Sequence, residues 1–108
     1  MKMLIDECID ERFRHSFASH DCQTARFAGF AGLQNGELLD AAERAHFEVF
    51  LTLDQGLPHQ QNLAGRRIAI IILEARTSRL QDLLSLAPEC LAVLPIVKPG
   101  ELFTIHEN

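Results

Sequence analysis

The chain lacks the features that mark several common protein classes. Its three cysteines, Cys8, Cys22 and Cys90, are odd in number and form no Cys-x-x-Cys pair. This excludes a disulfide scaffold and a thiolate zinc site, and leaves them as small core or surface thiols. Only four prolines and six glycines occur among 108 residues that are 47% apolar and 23% charged, a balance foreign to disordered and fibrous chains. No apolar run approaches the ~20 residues of a membrane span. Met1 and Lys2 lead to an acid at Asp6 instead of a long apolar segment, so a signal-peptide layout is missing and a cytoplasmic location is expected. Bases are scarce too: 10 Lys and Arg against 15 Asp and Glu give a formal charge of −5, which counts against binding nucleic acid through a broad basic surface. The histidines His15, His20, His46, His59 and His106 form no HExxH pair, and neither GxxxxGK[ST] nor GxGxxG is present. A zinc hydrolase and a nucleotide site of the P-loop or Rossmann kind are therefore not indicated.

What remains is enough chain for one domain, residues 1–108, able to bury a real core. Lys2 to Ile5 reads as a strand that stops at the acidic pair Asp6-Glu7. Ile9, Phe13 and Phe17 recur four residues apart among charged residues and predict an amphipathic helix closing near His20. Asp21 to Ala25 predicts a modest strand, and Phe27 to Gly36, with three glycines and no period, a loop. Leu38, Ala41, Ala42 and Ala45 give helical spacing after an expected N-cap at Asn35. Glu48 to Leu53 is a β-branched and aromatic strand ending on Asp54, followed by a polar connection with one helical turn from Pro58. Ile68 to Leu73 is nearly continuous aliphatic sequence, as in a parallel strand covered on both faces. Ser78 and Gln81 fit a capping box for a helix carrying Leu80, Leu83, Leu84 and Ala87 and bending at Pro88. After the Pro99-Gly100 turn, Leu102 to Ile105 is expected as an edge strand. This alternation predicts a small three-layer α/β/α domain with a mostly parallel sheet of about five strands.

In such sheets ligands collect beyond the carboxyl ends of the strands, where the strand order reverses. Asp6 and Asp54 each follow a strand, and Glu37 falls in the first turn of a helix expected to point the same way. Each acid alone has an ordinary role as a helix cap or first-turn charge. Together they predict an acidic pocket that Mg²⁺ or Mn²⁺ would relieve of its mutual repulsion. A metal held there suits phosphodiester hydrolysis by activated water. Glu7 and Asp10 lie close enough to Asp6 to support it, while Gln60, Gln61, Asn62, Arg66 and Arg67 are candidates for contacting phosphate or sugar. Asp6, Glu7, Glu37 and Asp54 account for most of the formal −5, so the acidity that argued against nucleic acid is concentrated in the expected pocket.

Four segments carry a resemblance: Leu4-Ile5-Asp6-Glu7-Cys8, Asn35-Gly36-Glu37-Leu38-Leu39, Thr52-Leu53-Asp54-Gln55 continuing to Gln60-Gln61-Asn62-Leu63, and Pro99-Gly100-Glu101. In order and spacing they resemble the compact PIN-like domain family of predicted toxin–antitoxin nucleases, over essentially the whole chain. The resemblance implies a Mg²⁺- or Mn²⁺-dependent endoribonuclease acting on single-stranded RNA, a small antitoxin partner and pairing into a homodimer. It places metal-binding acids on Asp6 and Asp54. At the helix start, where many relatives have Asp, this chain has Asn35, with Glu37 two residues on as the substitute.

A receiver domain, phosphorylated on Asp54, is an alternative: it would share Asp6-Glu7 after the first strand, Pro58 four residues after Asp54, and a late Lys98-Pro99. Against it, Leu73 is followed by Glu74 where a receiver has Ser or Thr, and only nine residues follow Lys98-Pro99. A non-catalytic PIN-like interaction module is the third reading, because fold alone does not establish activity.

Overall fold

Strand alternation divides the apolar residues of this chain between two cores. A computed structural model describes residues 1–60 and 62–107, apart from the side chain of Asn35. Five strands, β1 (Lys2–Ile5), β2 (Asp21–Thr24), β3 (Val49–Thr52), β4 (Ala69–Glu74) and β5 (Leu102–His106), form one sheet in the order β2-β1-β3-β4-β5. Every pairing is parallel. Side chains from Met3, Ile5, Val49, Leu51, Ile71, Leu73 and Ile105 point to one face. There they meet Phe13 and Phe17 of a 3₁₀ segment (Glu11–Phe17) and Leu83, Cys90 and Val93 of two short helices, α3 (Leu80–Leu84) and α4 (Ala87–Val93). Leu4, Phe50, Ile70 and Ile72 point to the other face, covered by Leu38, Leu39 and Ala42 of α1 (Asn35–Arg44) and Leu57 of α2 (Leu57–Gln60). The expected three-layer α/β/α arrangement is thus observed. Among the described residues, no helix is long and apolar enough to cross a membrane.

β4 shows the value of burial on both faces as a sequence signal. Its first five residues are buried, and it lies between β3 and β5. β5 is an edge, as expected, and only Ile105 of its five residues is buried.

Several local expectations are corrected. The stretch carrying Phe13 and Phe17 is 3₁₀, begun by Asp10, whose carboxylate accepts from the Arg12 N–H. The two rings meet edge to face at 5.2 Å, so the apolar spacing correctly identified a buried face without specifying the helical pitch. Asn35 lies inside α1, with Gln34 at the N-cap position. The Ser78 capping box does not form: Arg79 occupies the N-cap of α3 without a side-chain cap, while Thr77 accepts from the Arg79 N–H and donates to Asp82. The helix expected to bend at Pro88 is two helices, and Pro88 sits in the first turn of the second, where its missing N–H costs nothing.

The α1–β3 connection closes with Phe47 N–H on Ala42 O and His46 N–H on Glu43 O, the Schellman pattern, with His46 in the left-handed position at φ 66° that glycine usually fills. At the opposite turn the requirement for glycine is strict. Gly100 has φ +79°, and a Cβ there would collide with the carbonyl oxygen of Arg66. Gly100→Ala is therefore expected to destabilise the fold by about 2 kcal/mol or more. Gly29→Ala, also at positive φ but in open space, should cost about 1 kcal/mol. Urea unfolding of both variants checks this, and equal midpoints would contradict the close approach of the β5 turn to Arg66.

Candidate functional site

The strand order reverses between β1 and β3, which leave the sheet side by side with their carboxyl ends at one edge. Register pairs Ile5 with Leu51, so Asp6 comes level with Thr52, and the Asp6 N–H extends the ladder to Leu51 O at 2.9 Å. Thr52 is fully buried, and its hydroxyl must find partners. It donates to Asp6 Oδ2 at 2.7 Å and accepts from the Asp54 N–H at 3.1 Å. One threonine thus ties both strand-end acids to the sheet.

Each carboxylate is oriented by its own turn. Asp6 Oδ1 accepts from the Glu7 N–H at 2.8 Å, and Oδ2 also takes a long contact from Cys8 Sγ at 3.5 Å. Asp54 Oδ1 accepts from the Gly56 N–H at 2.9 Å in the turn leading into α2. The structural role expected of a strand-end acid is therefore real, but it consumes only part of each carboxylate. An ionised carboxylate offers about four acceptor positions. Asp54 Oδ2 accepts no hydrogen bond among the described residues, and both acids line a depression of about 280 Å³ with Glu7, Cys8, Gln34, Leu38, Thr52 and Leu57.

The remaining candidates separate by position. Glu7 lines the pocket and braces the glycine-rich loop, its Oε1 accepting from the Gly32 N–H at 3.1 Å. Glu37 does not line the pocket. Gln34 at the N-cap and Leu38 in α1 line it, and a helix turns each successive residue by about 100°, so Glu37, one step from Leu38, is exposed beside the site. Asp10 is committed to Arg12 through a two-point pair with contacts of 3.0 and 2.7 Å, and that guanidinium holds its carboxyl down at about 2. The side chain of Asn35 and all of Gln61 lie outside the described residues. Asn62 is exposed, and its Oδ1 closes a local turn onto the Ala64 N–H.

Arg66 and Arg67 are not brought to the site. They precede β4, and in a parallel sheet the residues before a strand lie at the edge opposite those that follow one. Arg66 bridges Asp40 and Glu43 of α1 at 2.5 and 2.6 Å, and Glu43 also accepts from the Arg67 N–H at 2.7 Å. Burial acts to raise the Glu43 carboxyl, but the hydrogen bonds from Arg66 and Arg67 outweigh it and lower the net value. Both arginines fasten the loop to α1, and Arg67 with Lys98 lines a separate depression at this far edge.

Thr52 and Cys8 escaped the sequence reading as site residues, although Thr52 stood inside the Thr-Leu-Asp segment that drew attention to Asp54. Its part becomes visible once β1 and β3 are placed as neighbours in register. The donor set is two carboxylates, a hydroxyl and a third acid close by. Among the described residues, no three His, Cys, Asp or Glu side chains are gathered as a metal-holding group. The chemistry of this set fits a hard cation that retains most of its waters, as Mg²⁺ does when held by one or two carboxylates and substrate phosphate. It does not fit a closed all-protein cage. Compared with protein-family models, curated proteins and solved structures, the chain matches none.

Cys8 provides an internal probe of this environment. Desolvation pushes its thiol above the ordinary value of 9.0, against a lowering contact with the Leu53 backbone, and the Asp6 charge adds to the rise. Because the neutral thiol is favoured, the thiolate that reacts with iodoacetamide should emerge only as the pH climbs past 9.0. Asp6→Asn should move that profile to lower pH and speed alkylation at pH 8. Mass-spectrometric alkylation kinetics read both, and an unchanged Cys8 profile in Asp6→Asn would contradict the placement of the thiol beside Asp6.

Proposed function

We propose that the chain is a metal-dependent phosphodiesterase, an endoribonuclease of the toxin–antitoxin type acting on single-stranded RNA. The observation that carries this reading is the convergence of Asp6 and Asp54 on one buried hydroxyl, Thr52, at the switch point of the sheet. The PIN-like resemblance of the surrounding segments supplies the RNA substrate, the small antitoxin partner and the homodimer, and the cytoplasmic setting follows from the missing signal-peptide layout. Asp6 and Asp54 hold Mg²⁺ or Mn²⁺, and Glu7 braces the wall of the pocket. A bound ion of this kind supplies an acidified water and offsets charge on the phosphoryl oxygens. Asp6 and Asp54 would hold the ion and, through it, position the phosphodiester, whose own negative charge the bare carboxylates would repel. The Asp54 oxygen not bonded to the Gly56 N–H is the one offered to the ion. Glu37, beside but not in the pocket, acts at most across water.

The phospho-acceptor alternative fares less well against the geometry. Such a site needs a cationic side chain and a hydroxyl at the carboxyl edge to steady the phosphoryl group on Asp54. Lys98 instead lies ahead of β5 and lines the depression at the opposite edge. β4 ends on Glu74, which pairs with His106. The interaction-module reading is separated from the nuclease reading by activity alone.

Cleavage of an unstructured RNA in Mn²⁺ should be lost, by about 100-fold or more, in Asp6→Ala and Asp54→Ala. Glu37→Ala should keep activity within about threefold of wild type, since mutations away from the reacting groups remove little transition-state stabilisation. Thr52→Val, which preserves shape but removes the shared hydroxyl, should lower metal affinity or activity by about 10- to 100-fold. Gel-based cleavage assays on the four variants decide the matter, and activity that survives loss of both aspartates would refute the assignment.

A further inference from the structure

Phe27 is the most exposed large apolar side chain of the described residues, at 79%. It sits on a turn that is firmly built. The Phe27 N–H donates to Thr24 Oγ1 at 3.1 Å, Ala28 N–H to Thr24 O at 3.0 Å, and Phe30 N–H to Ala25 O at 2.8 Å. The turn is anchored on both sides. Ala25 is buried, and Phe30 packs edge to face on Phe47 with ring centroids at 6.1 Å. One aromatic of this turn is drawn into the core while its neighbour three residues earlier is left in water.

The residue beside it is Arg26, exposed and in no ion pair among the described residues. This contrasts with Arg12 and Arg66, which are held by acids. Arg26 lines a groove with Asp6, Glu7, Glu11 and Thr24. That groove shares Asp6 and Glu7 with the Asp6–Asp54 pocket. On its other side it shares Glu11 and Thr24 with a groove lined by Phe27 and Arg14. The three depressions therefore adjoin one another through these shared lining residues, with Phe27 at one end of the series, Arg26 in the middle and the two aspartates at the other end.

We propose that Phe27 and Arg26 form the substrate-positioning arm of the site: a nucleobase of a single strand stacks on the Phe27 ring and Arg26 contacts the adjoining phosphate, directing the strand toward Asp6 and Asp54. The chemistry selects single strands, since sequence-tolerant single-strand binders combine aromatic faces with basic side chains along the backbone path, here Phe27 with Arg26 and Arg14, while bases in a duplex are already stacked on one another. A protein hot spot would instead need a dry apolar surround, and the neighbours here are Arg14, Asp21, Gln23 and Glu11. The inference rests on the nuclease reading for the direction of the strand, but stacking itself is measured separately from cleavage.

The test uses the full chain and a fluorescein-labelled oligouridylate RNA of about 12 nucleotides, within the span of single-strand sites. Anisotropy titrations with Ca²⁺ in place of Mn²⁺ compare wild type, Phe27→Ala, Phe27→Trp and Arg26→Gln, and the same RNA is assayed for cleavage in Mn²⁺. Phe27→Ala should weaken binding about tenfold while Phe27→Trp retains it within about twofold. Arg26→Gln should reduce the slope of log affinity against log salt by about 0.7. Binding that depends on Phe27 without cleavage by wild type supports the arm and defeats the nuclease reading. Cleavage with an unchanged KM in Phe27→Ala defeats the arm and leaves the nuclease reading standing. Failure of wild type to bind the RNA, equal loss in Phe27→Trp and Phe27→Ala, or conversion of a dimer to a monomer by Phe27→Ala in sedimentation would each overturn the proposal.

Discussion

The parallel pairing of β1 with β3 is the constraint on which the rest of this structure depends. Both strands lie inside the sheet, and their side chains are committed alternately to the two cores. The first residues free to face solvent are those just beyond the strand ends. Placing an acid there on each strand brings two carboxylates together without any further device, and the register that aligns Ile5 with Leu51 sets Asp6 beside Thr52. A buried hydroxyl left without partners would cost about 1–3 kcal/mol, so the Thr52 contacts to Asp6 and Asp54 couple the geometry of the pocket to the integrity of the sheet.

The layers were legible because burial on both faces leaves a direct trace in sequence. The aliphatic run ending at Leu73 announces an interior parallel strand, and the sparse apolar pattern after Leu102 an edge. Other features were not legible for physical reasons. The spacing of Ile9, Phe13 and Phe17 reports which side is buried, and Phe13 and Phe17 do pack in the core with Leu83 of α3, but the same spacing suits an α-helix and leaves the 3₁₀ pitch unspecified. Capping signals at Asn35 and Ser78 were overridden by neighbours, for a cap is worth only about 1 kcal/mol and the chain entry into a helix is decided by larger packing terms.

The candidate site was half legible by the same logic. Asp6 and Asp54 could be placed because a strand fixes the edge at which its last residue emerges. Glu37 could not, since one step around a helix separates a residue facing the pocket from one facing solvent. Arg66 and Arg67 were attractive as a basic pair, yet their position before β4 consigns them to the far edge, where Asp40 and Glu43 hold them. Arg26 and Phe27 drew no attention because nothing in a glycine-rich loop announces which side chain is left outside. The formal charge of −5 also acquires a distribution: acids at Asp10, Asp40 and Glu43 neutralise particular arginines, and those at Asp6, Glu7 and Asp54 meet at the switch point with Arg26 as a cation nearby that no acid holds among the described residues.

The central claim is that Asp6 and Asp54 constitute one cation site. Calorimetric titration of the intact protein with Mn²⁺ tests it most directly. Wild type should bind a single ion with measurable heat, and Asp6→Asn and Asp54→Asn should each abolish that heat while leaving the far-ultraviolet circular dichroism unchanged. Undiminished binding in either variant would contradict the account.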